Sequence, residues 1–403
     1  MSRPNVALVV GTRPEAVKMA PLVDAVRAAG LLEPVLVATG QHPTMVAQAL
    51  DAFGLAPDVV LRLHRRSGDQ AELVAQLAPA LDGVLVERGS AAVVVQGDTT
   101  SALLGGLVAF WRQVPVVHLE AGLRSGDLAA PFPEEANRRI LGVLADLHLA
   151  PTARAERALL AEGTSEEKVL LVGNTVVDAV LQVAATAGPG ADPRLVMIER
   201  EVSAGDARLL LVTAHRRESW GVPLDRVLAA VEQVLTEHPD LRCVLPAHAN
   251  PAVRAQVDRA LGAHPRVTVT DPLPYPQLCR LLARSALVLS DSGGIQEEAP
   301  SFGVPVLVLR EVTERMEAVE GGWAELVGTD PARIVAAAKE ALAGVRARPT
   351  GGNPFGDGHA ARRAAQGIAW MLGLDLRPVR FDTCLAAAGL PAGGGGRQSG
   401  GSG

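Results

Sequence analysis

Cysteines, aromatic residues and long apolar runs are scarce in this 403-residue chain. The three cysteines, Cys243, Cys279 and Cys384, lie far apart without a C-x-x-C spacing, which argues against a disulfide framework and a cysteine zinc site. Aromatic residues make up only 3% of the chain, so the core must be built from Leu, Val and Ala. No apolar run is long enough to span a bilayer, which argues against a membrane protein.

Metal-binding histidine patterns and excess positive charge are missing as well. The sequence has neither an H-x-x-x-H nor an H-E-x-x-H pattern, so we expect no metal site. The formal net charge of -6 argues against a nucleic-acid partner, while a local basic pocket for a phosphate stays compatible with it. The chain starts directly with a predicted strand and shows no signal peptide, which predicts a cytoplasmic protein.

Short β-branched runs alternate with amphipathic, Ala- and Leu-rich segments. Six predicted strands in the first half are NVALVVGT, EPVLVATG, AAVVVQGD, VPVVHLE, LHLAP and VLLVGN, and six in the second are ARLLLVTAH, LRCVLPAH, RVTVTDP, ALVLSD, PVLVLRE and AELVG. Strands that are apolar on both faces belong to parallel sheets covered by helices. The pattern predicts an α/β protein with two Rossmann-like domains, residues 1–173 and 174–356, then a helical segment at 357–376 and a largely disordered Gly-rich tail at 377–403.

Almost every unusual polar residue follows a predicted strand. The set comprises Thr12, Arg13, Gln41, His42, Asp98, Glu120, His215, His248 and Asp291. In open α/β sheets, ligands bind outside the carboxyl ends of the strands. Two such domains facing each other would bring both sets of strand ends to one central cleft.

A predicted strand followed by Ser292, Gly293 and Gly294 at a helix start suits a diphosphate, because exposed backbone N–H groups bind anions. Glu298, one turn later, could accept hydrogen bonds from ribose hydroxyls; the alternative is a simple capped helix. Arg13, Lys18 and His215 are candidates for phosphate contacts, with solvated surface cations as the alternative for the first two.

Three carboxylates, Asp98, Glu120 and Glu134, are candidates for proton transfer. If they converge on one cleft, repulsion would raise at least one pKa unless arginines such as Arg138 pair with them. The alternative for Asp98 is a helix cap, and for Glu134 a place in the first turn of the next helix.

These stretches together resemble the non-hydrolysing UDP-N-acetylglucosamine 2-epimerases, a family with the GT-B fold. The similarity runs in order from about Val9 to Trp370 through GTRPEAVKMAPL, TGQH, QGDTTSAL, HLEAGLRSGD, PFPEEANRR, GNTVVDA, VTAHRRES, DSGGIQEEAPSFGVPVLVLRE, TERMEAVE and LVGTD. The resemblance implies that UDP is held mainly by the second domain, that the sugar lies in the cleft, and that the final helix returns to the first domain.

The resemblance also implies the site residues. The catalytic set is Asp98, Glu120, Glu134 and His215, and the substrate-binding set is Arg13, Lys18, Arg138, Leu273, Tyr275, Leu278, Ser292, Gly293, Gly294, Glu298 and Arg315. The expected reaction expels UDP from C1 of the sugar while a carboxylate removes the proton from C2, and then reverses both events on the opposite face. No cofactor is needed, the partner is a UDP-N-acetyl sugar, and the family is usually homodimeric.

Three departures from the family pattern keep alternatives open. Ser219 and Trp220 stand where many members have Asn and a smaller apolar residue, and Met316 stands where proline is usual. Pro43 and Thr44 replace a more polar pair, so activation by a second substrate molecule near Gln41, His42 and His248 stays an open expectation. Other open functions are a hydrolysing epimerase, an epimerase for a modified UDP-sugar, a GT-B glycosyltransferase and a nucleotide-sugar-binding regulator.

Overall fold

Two fully parallel sheets organise the part of the chain that the computed structural model describes, residues 3–214, 216, 219–344 and 351–382. The first sheet contains β1 (Asn5–Val10), β2 (Glu33–Ala38), β3 (Val59–Val60), β4 (Ala92–Gln96), β5 (Val116–Leu119), β6 (Leu147–Ala150) and β7 (Val169–Leu171). The second contains β8 (Arg208–Thr213), β9 (Leu241–Pro246), β10 (Val267–Thr270), β11 (Ser285–Ser290), β12 (Val306–Val308) and β13 (Ala324–Leu326).

Helices connect the strands and cover both sheets. Those between the strands of the first sheet are α1 (Arg13–Ala29), α2 (Pro43–Asp51), α3 (Gln70–Arg88), α4 (Thr100–Trp111), α5 (Glu134–Leu144) and α6 (Ala153–Ala161). The remaining described helices are α7 (Thr175–Thr186), α8 (Pro193–Ala204), α9 (Val222–Glu237), α10 (Pro251–Leu261), α11 (Tyr275–Leu282), α12 (Gly293–Glu298), α13 (Met316–Glu320), α14 (Pro331–Leu342) and α15 (Ala360–Met371).

The strand order fixes where a ligand can bind. The first sheet runs β3-β2-β1-β4-β5-β6-β7 and the second β10-β9-β8-β11-β12-β13. In each sheet the direction of winding reverses between the two central strands, β1 and β4 in the first and β8 and β11 in the second. Helices leave such a pair on opposite faces of the sheet, which opens a crevice at the carboxyl ends of the strands.

The strands form because their side chains are apolar on both faces and are buried on both. In β1, the side chains from Val6 to Val10 are all inaccessible to solvent. One apolar cluster covers a face of each sheet and is continuous through α7, which packs against α1, α11, α12 and α15. Separate clusters lie beneath α3, α4 and α5 and beneath α9, α10 and α14. Helix α7 therefore joins the two sheets through one shared core.

All twelve predicted strands are present, and the described residues contain one further strand, β3, that was not predicted. This strand has only two residues, Val59 and Val60, and it pairs with the edge of β2. Alternation of apolar and polar residues needs at least four positions to be recognised, so a two-residue strand gives no periodic signal. The predicted α/β architecture with two parallel sheets is confirmed.

Residues 377–382, the first six of the predicted largely disordered tail, lie along the edge of the first sheet. The backbone N–H of Phe381 donates to the carbonyl of Leu171 in the edge strand β7, and the Phe381 side chain is only 1% exposed. Arg377 donates to the carbonyl of Val169 and stacks on Trp370 of α15, which itself packs against α1. The segment covers an open sheet edge, a role that composition alone does not reveal. Residues 383–403 lie outside the described residues.

The substitution Phe381→Ala tests whether this segment stabilises the protein. Phe381 belongs to a buried cluster with Ala121, Ala150, Leu159 and Leu171. Removing its ring should lower the free energy of unfolding by about 3 kcal/mol, because a cavity replaces a buried aromatic side chain. Urea denaturation measures the loss.

Val379→Ala in the same segment is the matched control, since Val379 is 83% exposed. It should change the free energy of unfolding by less than about 0.5 kcal/mol. Equal effects of the two substitutions would contradict a specific role for the Phe381 ring.

Candidate active site

A cavity of about 400 Å³ lies between the carboxyl ends of the two sheets. From the first sheet's side it is lined by the first turns of α1, and from the second sheet's side by α11, α12 and the loop before α13. Ten of the residues predicted for substrate binding line it: Arg13, Lys18, Leu273, Tyr275, Leu278, Ser292, Gly293, Gly294, Glu298 and Arg315. The cavity therefore combines cations, backbone N–H groups and an apolar wall.

The second sheet supplies a basic corner. Ser292 precedes the first residue of α12, and its N–H donates to the Ser290 hydroxyl at 3.0 Å. A Cβ on Gly293 would lie 3.3 Å from the guanidinium carbon of Arg315, so glycine lets this cation pack closely against the turn. Arg315 is fixed from the other side by a 2.9 Å hydrogen bond from Nε to Glu297. The Met316 departure from the family pattern leaves these Arg315 contacts in place.

An apolar wall closes the cavity on the side of α11. Tyr275 is buried, and its hydroxyl donates to Oε1 of Glu298 at 3.1 Å. Burial raises the pKa of Glu298 to about 7, partly offset by that hydrogen bond. The guanidinium of Arg13, from α1, lies 6.0 Å from the centroid of the Tyr275 ring. This cation–π contact brings a residue of the first sheet's side against the wall formed by the second.

Four buried charged side chains are linked in sequence by ion pairs, in the order Glu120, Lys18, Glu297 and Arg315. The last three line the cavity. Nζ of Lys18 lies 2.6 Å from Oε1 of Glu120 and 3.2 Å from Oε2 of Glu297, and Glu297 also pairs with Arg315. Glu120 follows β5 in the first sheet, whereas Glu297 and Arg315 belong to the second sheet's side. A buried charge is costly unless it is paired, so these linked charges tie the two sides together.

The four charges shift one another's ionisation. Burial raises the pKa of Glu120, and the charge of Lys18 offsets this only in part. Burial also opposes ionisation of Glu297, but Lys18 and Arg315 outweigh it and hold the pKa of Glu297 below its ordinary value. The charges of both carboxylates raise the pKa of Lys18 despite its burial. The acid that raises the pKa of Glu120 is Glu297, which the sequence analysis did not assign to the site.

Glu120 is held in an unusual backbone conformation. Its φ is +62°, in the left-handed region that non-glycine residues rarely adopt. Its carboxylate accepts hydrogen bonds from the Gln96 amide of the neighbouring strand β4 and, at 3.4 Å, from the Asn174 amide. Such a conformation persists only when the surroundings fix it, and it is a frequent mark of functional sites.

Glu120 is not among the residues that line the cavity, and neither are Asp98, Glu134 and Arg138. Nε of Arg138 donates to Asp98 at 2.7 Å, and Glu134 is the half-buried first residue of α5, one turn before Arg138. The N-cap of α4 is Thr99, so Asp98 does not have the helix-capping role considered for it. Nε2 of His118, two residues before Glu120, lies 2.7 Å from the carbonyl of Gly97, the residue before Asp98.

The residues expected near a second substrate molecule do not line the cavity. Gln41 accepts a 2.6 Å hydrogen bond from Ser101 of α4, and His42 is exposed at the start of α2. Nδ1 of His248 accepts from the N–H of Asn250 at 3.0 Å, at the start of α10. His215 lies outside the described residues. Its neighbour Arg216 lines the cavity.

Within the described residues, no group of three or more His, Cys, Asp or Glu side chains is arranged to hold a metal ion. The described helices likewise include none that could cross a membrane.

Comparison with known proteins identifies the family. The family model described as UDP-N-acetylglucosamine 2-epimerase matches residues 24–369. The chain is 41% identical over 373 residues to the UDP-N-acetylglucosamine 2-epimerase of Escherichia coli K12, a match that covers 90% of this chain and 98% of the relative. The chain belongs to the UDP-N-acetylglucosamine 2-epimerase family.

Solved structures of the family agree with the fold. The UDP complex of MnaA from S. aureus is 40% identical with a TM-score of 0.83, and the match covers 95% of this chain and all of that one. The Neisseria meningitidis UDP-GlcNAc 2-epimerase bound to UDP-GlcNAc is 34% identical with a TM-score of 0.78, covering 91% of this chain and 100% of that one. The predicted GT-B fold is confirmed.

Sequence reasoning missed two buried acids, Glu15 in the first turn of α1 and Glu297 in the lining of the cavity. Glu15 accepts hydrogen bonds from the N–H groups of Gly11 and Thr12 at 3.0 and 2.6 Å and from the Thr99 hydroxyl at 2.6 Å. It thereby joins the loop before Arg13 to the loop after β4. The spacing Thr12-x-x-Glu15 is a capping-box signal that the sequence analysis could have used. The second acid, Glu297, offered no comparable signal.

Glu15→Gln tests the buried acid through pH-dependent stability. Burial raises the pKa of Glu15 from 4.5 to about 7, so the folded protein binds this proton more tightly than the unfolded chain. The resulting stabilisation, on the order of 3 kcal/mol, is complete below the unfolded pKa and is lost as pH rises through about 7. Glutamine does not titrate, so its variant should lack this loss.

Urea denaturation at about pH 5 and about pH 8 measures both proteins. The matched control is Glu33→Gln at the exposed start of β2, which should follow the wild type at both pH values. A Glu15→Gln variant with the same pH dependence as the wild type would disprove the assignment.

Proposed function

We propose that this chain interconverts UDP-N-acetylglucosamine and UDP-N-acetylmannosamine without hydrolysing either. The observation that carries the proposal is the buried contact of Glu120 with Lys18, since Lys18 lines the same cavity as Arg13, Arg315 and the turn at Ser292. The cavity then combines groups that can bind a diphosphate with a lysine that contacts a carboxylate able to exchange a proton.

The chemistry explains why both kinds of group are needed. The proton at C2 of the sugar has no adjacent carbonyl to acidify it, so it leaves together with UDP. A carboxylate takes the C2 proton, the C–H electron pair forms the C1–C2 double bond, and the C1–O bond breaks with its electrons going to UDP. UDP then adds back to C1 of the 2-acetamidoglucal while a proton is delivered to the opposite face of C2.

The positive side of the cavity suits the departing UDP. Negative charge grows on the diphosphate as the C1–O bond breaks, and cations and N–H groups already in place lower the barrier without reorganisation. Arg13, Arg315 and the N–H groups at Gly293 and Gly294 are the proposed donors. Glu298, next to Tyr275, is the proposed acceptor for ribose hydroxyls, and Leu273 and Leu278 are proposed to contact uracil.

Two proton-transfer groups are required because the two faces of C2 are served from opposite sides. We assign proton transfer to Glu120 together with Asp98 and Glu134. Glu120 contacts Lys18, which lines the cavity, while Asp98 pairs with Arg138 and Glu134 begins the helix α5 that carries Arg138. A raised pKa, as burial gives Glu120, suits a group that must both lose and gain a proton near neutral pH.

Incubation with UDP-N-acetylglucosamine in deuterated water tests the proposal. Proton NMR should show UDP-N-acetylmannosamine, with deuterium at C2 in both sugars. Release of UDP and free N-acetylmannosamine would indicate a hydrolysing epimerase instead, and binding without turnover a regulator.

The variant Asp98→Asn should lower kcat by 10²-fold or more, the ordinary contribution of a proton-transfer group. Its control is Asp206→Asn, an exposed carboxylate just before β8 and therefore at the opposite end of the strand from the cavity. This control should turn over like the wild type. An Asp98→Asn variant that epimerises as fast as the wild type would refute the assignment of proton transfer to Asp98.

We also propose that the chain forms a homodimer through α3, α4 and α5. These helices cover one face of the first sheet, yet they expose large apolar side chains, including Trp111 at 63% and Val143 at 85%. Phe110 and Val86 are exposed on the same helices. An apolar surface of this kind is typical of an interface between copies of one chain.

Light scattering after gel filtration should give twice the mass of one chain. The double variant Trp111→Glu, Val143→Glu should give the mass of one chain, because two charges would be buried in the interface. Val379→Glu, exposed on the Phe381 segment, is the control and should stay dimeric. A wild type with the mass of one chain would refute the homodimer.

A further inference from the structure

Two carboxylates, one that follows a strand of the first sheet and one in a helix that follows a strand of the second, share a single ammonium. Lys18 contacts Glu120 at 2.6 Å and Glu297 at 3.2 Å, so the two carboxylates lie within about 6 Å of each other. Both side chains are almost fully buried. At this distance, with little water between them, the two negative charges repel each other strongly. A proton taken up by the pair therefore binds to the carboxylate that contacts fewer cations.

We propose that Glu297 is a positioning residue for the reaction, which fixes Lys18 and Arg315 at the cavity and reserves the pair's exchangeable proton for Glu120. The inference rests on the proposed function for its catalytic meaning. Two parts of the proposal do not depend on the substrate. They are that Glu297 stays ionised and that its charge controls the protonation of Glu120.

The surroundings of the two acids differ in a way that assigns the proton. Glu297 contacts two cations, with Arg315 Nε at 2.9 Å from Oε1 and Lys18 at Oε2. Glu120 contacts one cation and two uncharged amides, those of Gln96 and Asn174. Among the described residues, the charged groups that act most strongly on Glu120 are Lys18 from α1, Glu297 from α12 and Arg315 before α13.

The pKa directions agree with this geometry. Burial raises the pKa of Glu120, and the charge of Glu297 raises it further, whereas the two cations keep the pKa of Glu297 below its ordinary value. Glu297 also turns Arg315 towards the Gly293 turn, where the guanidinium packs within 3.3 Å of the position of a Cβ. One carboxylate thus holds a cation from each side of the cavity and tunes the acid that exchanges protons.

Infrared titration of the protein without substrate tests the proposal directly. A buried protonated carboxyl gives a C=O stretching band, and the band of Glu120 is identified by its loss in Glu120→Gln. In Glu297→Gln this band should titrate at least about one pH unit lower than in the wild type, because a like charge has been removed and Lys18 is left to Glu120 alone. A band that titrates at the same pH in both proteins overturns the proposal.

Turnover gives the second readout. In Glu297→Gln, kcat should fall about 10-fold or more and one limb of its pH profile should move to lower pH, with a smaller change in KM. Glu297→Asp keeps the negative charge at position 297. In this variant the infrared band of Glu120 should therefore titrate within about 0.3 pH unit of its position in the wild type. If Glu297→Gln does not fold, Glu297→Asn replaces it as the uncharged partner of Glu297→Asp.

Glu320→Gln is the matched control, since Glu320 of α13 pairs with Arg154 of α6 at 2.5 Å across the two sides but is exposed. It should leave both readouts unchanged. If Glu320→Gln reproduces the effect of Glu297→Gln, the cause is a general loss of contact between the first sheet's side and the second sheet's side, and the proposal fails. If the wild type does not epimerise its substrate, the proposed function fails, while the infrared titration still decides the role of Glu297.

Discussion

The ammonium of Lys18, buried between Glu120 and Glu297, is the contact on which the site depends. Burial of any one of these charges alone would be strongly unfavourable, so each requires the others to stay in place. Because Glu120 follows a strand of the first sheet and Glu297 a strand of the second, the requirement extends to how the two sheets face each other. Electrostatics at three side chains therefore couples the geometry of the cleft to the protonation of its buried acid.

The topology explains why these side chains meet. Arg13 follows β1 and Asp98 follows β4, the two strands at which the winding of the first sheet reverses, and Ser292 follows β11 at the equivalent point of the second. Parallel strands release their loops at one edge, so two facing sheets bring acids from one side and anion-binding groups from the other to the same cavity. The shared core beneath α7 keeps these edges together.

The strands predicted correctly from sequence, and the predicted site residues that line the cavity, are those whose signals are local. Strands such as β1 and β4 are short apolar runs, and Arg13 or Ser292 stand directly after one. The role of Glu297 depends on a lysine 279 positions earlier in the chain, and that of Phe381 on an edge strand 210 positions earlier, so neither leaves a pattern within a sequence window. Glu15 lies between these cases, because its capping box is local but its contact with Thr99 is not.

A crystal structure with UDP-N-acetylglucosamine bound would test most directly whether one cavity brings the acids and the cations to a single sugar. The account predicts diphosphate oxygens within hydrogen-bond distance, about 3 Å, of Arg315 and of the N–H groups at Gly293 and Gly294, with C2 of the sugar facing the side of Glu120. A nucleotide bound elsewhere, or a sugar that points away from Glu120 and Asp98 into solvent, would contradict it.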